Sequence, residues 1–258
     1  MIVNSPHPTQ AICRPTAGLA ALLFLAALLA CAKAPTPDDT TSTATSTYQL
    51  GVLRKGPSWT AAQTAAEESL QAGHLRNMRR MYEAGLMVAA GPFLRGGDLS
   101  GLFVFGAPTL AEIEREVAQD PRIRAGRLAF DLYAWEAPAG IGEPYRRRAD
   151  RGLPDSMQTL HLGLAKRGPA WRTDDGQETR ELRNAHEEAL QRMIESGDLV
   201  LAGPVRGADD LVAVMIFKSD SATARLLVDQ APAVRAGDIV VELRPWLTAY
   251  GAMPSDTL

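Results

Sequence analysis

From Tyr48 onward the apolar positions of the chain switch between two periods. "YQLGVLRK" (Tyr48–Lys55) alternates apolar and polar residues, as a strand does when one face meets a core. Gly56-Pro57 then breaks the chain, and a helical spacing follows as far as Glu83. Gly85 supplies the stop, because a helix C-terminus favours a residue that accepts a positive φ. "LMVAAGPF" (Leu86–Phe93) predicts a second strand, "RGGD" a turn and "LFVFGA" (Leu102–Ala107) a third strand. A shorter helix is expected from Thr109 to Gln119, and "LAFDLYAW" (Leu128–Trp135) as the last strand.

The same pattern then runs a second time. "LGVLRKGPSW" (Leu50–Trp59) returns as "LGLAKRGPAW" (Leu162–Trp171), His74 as His186, Gly85 as Gly197, and Gly91-Pro92 as Gly203-Pro204, all at one constant offset. "RIRAGRLAFDLYAW" returns one residue closer as "AVRAGDIVVELRPW" (Ala233–Trp246). Two copies of a βαββαβ unit, the split ferredoxin-like arrangement, are therefore expected at 48–136 and 157–250. Such a unit carries its helices on one face of the sheet and leaves the other face bare. The second copy is expected to cover it, so repeat 1 packs on repeat 2 as an intramolecular pseudo-dimer, an α+β fold. Residues 137–156, rich in Pro, Gly and charge, would link the copies, and 251–258 would be a tail.

The N-terminus has a different character. "LAALLFLAALLA" (Leu19–Ala30) is apolar and uncharged, but shorter than the ~20 residues that span a bilayer. It fits the apolar core of a secretory signal over residues 1–30. It ends in "LLAC", which resembles the lipobox of bacterial lipoproteins. That resemblance implies lipidation of Cys31, acylation of the new amine and a membrane anchor of several chains. An ordinary cleaved signal that happens to contain a cysteine is the alternative. Ala32, following the cysteine, implies the outer membrane, facing the periplasm, by the sorting rule for such proteins. Residues 31–47, rich in Thr, Ser and Pro, read as a disordered tether.

Charge and cysteine usage narrow the chemistry. The formal charge of −3 becomes −4 once Arg14 leaves with the leader, and no basic tract with interleaved aromatics occurs, so nucleic acid is not an expected partner. With Cys13 removed and Cys31 lipidated, no thiol remains for catalysis, a disulfide or a metal. No Gly-rich phosphate loop, Gly-x-Ser-x-Gly or zinc spacing is present, so neither a cofactor nor a metal is expected.

The candidate chemistry lies in the repeated histidines. The helix histidine, the Ala-Gly-Pro end of the second strand and "QDPRIRAG" (Gln119–Gly126) resemble the YCII-related family, small proteins of the dimeric α+β barrel group. The resemblance covers both copies. It implies an acid/base pair of the helix histidine and the Asp-Pro aspartate, here His74 and Asp120, and lyase or isomerase chemistry on small, aromatic or lactone-like compounds. A carboxylate that accepts from one imidazole nitrogen fixes the tautomer and raises the basicity of the other nitrogen. In the second copy the aspartate's place is taken by Ala231, and Asp229 stands two residues too early.

Each of these residues has a structural reading as well. His186 shares a face with Leu182, Ala189, Leu190 and Met193 and is expected to be a packed, hydrogen-bonded core residue, the alternative being that it binds a ligand without an orienting carboxylate. His74 lies similarly with Leu70, Met78 and Met81, and Asp120 would shape a turn before its proline. Trp59 and Trp171 are expected over the helix starts, or lining a ligand pocket. His161 has no counterpart and is given no role. Two functions stay open: a small-molecule acid/base enzyme built on His74 and Asp120, or a non-catalytic envelope module that binds a ligand or serves as a scaffold.

Overall fold

A computed structural model describes residues 44–95, 97–106 and 109–256. The leader, Cys31 and most of the expected tether lie outside the described residues. The first repeat comprises β1 (Thr45–Lys55), α1 (Ala65–Glu83), β2 (Met87–Pro92), β3 (Leu99–Phe105), α2 (Leu110–Val117), α3 (Pro121–Arg124) and β4 (Leu128–Pro138). After α4 (Glu143–Asp150), the second repeat follows as β5 (Met157–Arg167), α5 (Gln177–Glu195), β6 (Leu199–Arg206), β7 (Leu211–Phe217), α6 (Ser221–Gln230), α7 (Pro232–Arg235) and β8 (Ile239–Ala249). Each long helix ends where its glycine predicts, with Gly85 at φ 74° and Gly197 at φ 81°.

Four parts differ from the sequence expectation. The tether gives way to β1 at Thr45, since Thr45–Thr47 pair with Glu136–Pro138. The linker contains a helix, α4, that no apolar period announced. The one-turn helices α3 and α7, each opened by a proline at its start, are too short for a hydrophobic period to reveal. The tail is fastened: Asp256 is buried and accepts from the backbone N–H groups of Gly251 and Met253 and from Gln158 Nε2.

The strands follow one another as β2-β3-β1-β4-β6-β7-β5-β8, and an antiparallel bridge from Phe93 to Trp246 brings the last strand back beside the first. Within each half the order is ferredoxin-like, and the two halves meet along two seams. At one seam Trp135 pairs with Val205 and Ala134 with Arg206; at the other, Phe93 pairs with Trp246, and the Leu94 N–H donates to Pro245 O at 2.9 Å. The bare faces of both sheets thus close on each other. Their side chains form one apolar interior that includes Leu50, Leu102, Leu162, Ile216 and both buried tryptophans. Two further cores lie outside it, between each half-sheet and its own helices.

The seams depend on the repeated Gly-Pro. Trp135 Nε1–H donates to Gly203 O at 3.2 Å, and Trp246 Nε1–H donates to Gly91 O at 3.0 Å. A Cβ at Gly203 would lie 1.8 Å from Glu136 O, and one at Gly91 would lie 1.8 Å from Leu247 O. No side chain fits there, because the opposing backbone occupies the space. Gly203→Ala or Gly91→Ala should therefore lower stability by about 3 kcal/mol, the upper range for forcing atoms into a packed site. Trp135→Phe, which strips Gly203 O of its donor, should cost about 1–3 kcal/mol in urea unfolding.

Candidate functional site

The first repeat brings His74 and Asp120 together. His74 stands on the inner face of α1, and Asp120 is the N-cap of α3, its side chain accepting from Arg122 N–H at 2.9 Å. The approach of the two helices requires Gly73, where a Cβ would come within 2.8 Å of Pro121 Cγ. His74 Nδ1 and Asp120 Oδ2 are 2.8 Å apart, with Asp120 only 1% exposed. A carboxylate can only accept, so Nδ1 carries a proton, and in the neutral ring Nε2 then holds the lone pair. Asn77 Nδ2 reaches the same Oδ2 at 3.4 Å, and Arg80 holds Asn77 in turn by donating to its Oδ1.

Burial pushes the Asp120 carboxyl up, but the His74 hydrogen bond and charge, the Arg122 N–H and the Asn77 amide together outweigh it. Its pKa is held below the ordinary carboxylate value. The aspartate thus both starts a turn and orients the imidazole.

His74 lines a cavity of about 300 Å³ bounded by Leu53, Trp59, Met78, Pro92, Phe103 and Leu128, among others. The Phe103 ring stacks near the imidazole, centroids 6.0 Å apart and planes at 22°. No described protein group bonds His74 Nε2. Arg122 also lines the cavity: its Nη1 donates to Gln71 Oε1, its Nε is buried without a partner, and no described carboxylate pairs with it. Trp59 lies at the rim, with Lys55 Nζ 4.1 Å from its ring centroid.

The second repeat builds a larger cavity in the equivalent place, about 460 Å³, lined by Trp171, His186, Leu190, Met215 and Ile239, among others. Both tryptophans therefore border cavities rather than only covering helix starts. His186 departs from expectation in another way. It is half-buried, but its Nδ1 is enclosed and has no hydrogen-bond partner among the described residues. Asp229 takes no part, being paired with Arg225 at 2.9 Å. His161 Nδ1 lies 3.0 Å from Ser219 O and belongs to neither cavity.

Sequence reasoning missed Asn77, Arg122, Gln71 and Phe103. Asn77 was within reach, three residues beyond His74 on the same helical face, and Arg122 stands two residues after Asp120. Phe103 reads in sequence as ordinary core. No cluster of three or more metal-ligating side chains occurs among the described residues.

With this geometry in place, comparison with known proteins decides the family. Residues 55–134 match the family model of the YCII-related domain. The first repeat is a YCII-related domain. No curated protein matches the chain. Among solved structures, the fold is similar to a chlorite dismutase from Candidatus Nitrospira defluvii, a mutant in complex with cyanide. Identity is 14%, covering 78% of this chain and 90% of that one, with a TM-score of 0.52. A second mutant of that enzyme gives 15% identity, 80% and 92% coverage and a TM-score of 0.51. A heme-binding protein from Thermus thermophilus gives 19% identity, 80% and 93% coverage and a TM-score of 0.49. At these identities the likeness to the two dismutase structures shows a shared dimeric α+β barrel fold.

Asp120→Ala should destabilise the protein by about 1–3 kcal/mol at neutral pH, because it removes the acceptor of Arg122 N–H and of the imidazole. A carboxyl whose folded pKa is depressed stabilises the fold above its unfolded pKa, and that contribution disappears as pH falls through the lower folded value. The difference between wild type and Asp120→Ala should therefore be flat from about pH 5 to pH 7 and shrink only below about pH 4 in urea titrations.

Proposed function

We propose that the YCII-related domain of the first repeat binds a small carboxylated molecule and moves a proton on it, in a lyase or isomerase reaction. The observation that carries this reading is the buried contact of His74 Nδ1 with Asp120 at 2.8 Å, which leaves Nε2 as the base beside a cavity. Nε2 would take a proton from a carbon next to a carbonyl, the electron pair passing to the carbonyl oxygen. The imidazolium so formed would be stabilised by Asp120 and return the proton at another carbon, or to a leaving group. Arg122 supports an anionic substrate, since a guanidinium stays charged and this one has no carboxylate partner among the described residues. The apolar walls suit an aromatic or lactone ring.

The competing reading is a non-catalytic envelope module in which both cavities only bind. What favours it is that one of the two histidines has no aspartate. A deuterium-exchange experiment separates the two. Small carboxylated lactones and aryl keto acids are incubated with the protein in D2O, and C–H loss is followed by proton NMR. A proton-transfer site should exchange at least one of them, with His74→Ala slowing exchange by about 10²–10⁴-fold. Arg122→Ala should chiefly raise KM. Exchange that is indifferent to His74→Ala would exclude the mechanism, and binding without exchange would favour the module.

The mature chain would be held in the envelope, at the outer membrane facing the periplasm, by lipid on Cys31. The apolar run and cysteine of the leader support this. In a Gram-negative host, Cys31→Ala should move the protein from the membrane fraction to the soluble periplasm or leave its leader uncut. An unlipidated N-terminal peptide in wild-type mass spectra would contradict the anchor.

A further inference from the structure

The second cavity is not a decayed copy of the first. Its side chains have changed together. The positions of Asn77, Asp120 and Arg122 are occupied by Ala189, Ala231 and Ala233, and all three alanines belong to buried or cavity-lining surface. Three polar side chains of the first site have thus become methyl groups, while Gln71 is replaced by Arg183, which lines the second cavity. Phe103, which stacks on His74, is replaced by Met215, and Leu53 by Ala165. The result is a larger space, about 460 Å³ against about 300 Å³, with apolar walls. A site that had merely lost its function would be expected to fill, since voids in a core cost stability. This one has opened and kept its histidine.

That histidine is set up differently from its twin. His186 Nδ1 is enclosed and meets no acceptor among the described residues. A proton placed there would be a buried donor without a partner, and a bare ring nitrogen loses less than an orphaned N–H. The proton therefore sits on Nε2. Burial holds the ring neutral, and the carboxylate of Asp238 opposes this only in part. In the first repeat the cavity meets a lone pair; in the second it meets an N–H.

We propose that the second cavity is a binding site for a small, uncharged, largely apolar molecule with one carbonyl-type acceptor, which receives the Nε2–H of His186. Charge argues against an anion. The guanidinium at the place of Arg122 is gone, and the cavity's Arg183 is paired with Asp175 at 2.9 Å. Glu187 and Asp238 bring carboxylates to the lining, Asp238 beside Arg172. Trp171, with the Arg167 guanidinium 5.6 Å from its ring centroid, gives the ring of such a ligand a flat wall. This site does not depend on whether the first repeat catalyses proton transfer.

The uncharged fluorescent aryl ketone prodan is a suitable probe, because its emission reports both apolar surroundings and a hydrogen bond to its carbonyl. Titrated with the mature chain, it should saturate a site with blue-shifted emission. His186→Phe, which keeps the ring but loses the donor, should weaken binding about tenfold. His186→Gln restores a side-chain N–H and should recover most of the loss, which guards against a folding defect in the first variant. His74→Phe should leave the titration unchanged. Absence of saturable binding, a loss that follows His74→Phe, or equal affinity for His186→Phe would each overturn the proposal.

Discussion

Everything in this molecule hangs on two indole hydrogen bonds to glycine carbonyls. Trp135 and Trp246 are fully buried, and each donates across a seam to the glycine of the other half's Gly-Pro. Because a Cβ at either glycine would collide with opposing backbone, the strands can approach closely enough to pair only where glycine stands. The pairing turns two half-sheets, each with one bare face, into a closed barrel with a shared apolar interior. A single repeat would leave that interior in water. The same Gly-Pro segments also line both cavities, so assembly and site geometry use the same residues: Gly91 and Pro92 bound one, Gly203 and Pro204 the other.

On this symmetric frame the two sites have diverged in chemistry. The first repeat surrounds His74 with a buried carboxylate, an amide and a guanidinium that no described carboxylate neutralises. The second has alanines at the three equivalent positions, Ala189, Ala231 and Ala233. An imidazole presents a lone pair or an N–H to a cavity according to what its hidden nitrogen meets, so the difference between Asp120 and Ala231 reverses what the cavity sees. On the proposed reading, one scaffold offers a base in one half and a donor in the other.

Much of this was legible in the sequence, for identifiable reasons. The strands and long helices follow the apolar periods, and the fixed offset between the copies exposed the frame. Gly91-Pro92 and Gly203-Pro204 could be seen to recur, but not why, because their function lies in the partner strand, far away in sequence. His74 and Asp120 were found through a family motif. Asn77 and Arg122 were not, since an Asn and an Arg in amphipathic segments look like solvated surface until the fold buries them. His186 was expected to be a satisfied core residue. Its stripe of apolar neighbours is real, but no sequence pattern shows that the hydrogen-bond partner is missing. Short helices such as α3 leave no period to detect, although α3 is what carries Asp120 to the imidazole.

The central claim is that equivalent histidines hold opposite tautomers. Nitrogen-15 NMR of the imidazole rings, assigned with His74→Phe and His186→Phe, measures this directly at mildly alkaline pH. His74 should show a protonated Nδ1 and a bare Nε2, and His186 a bare Nδ1 and a protonated Nε2. The same tautomer at both positions would contradict the account.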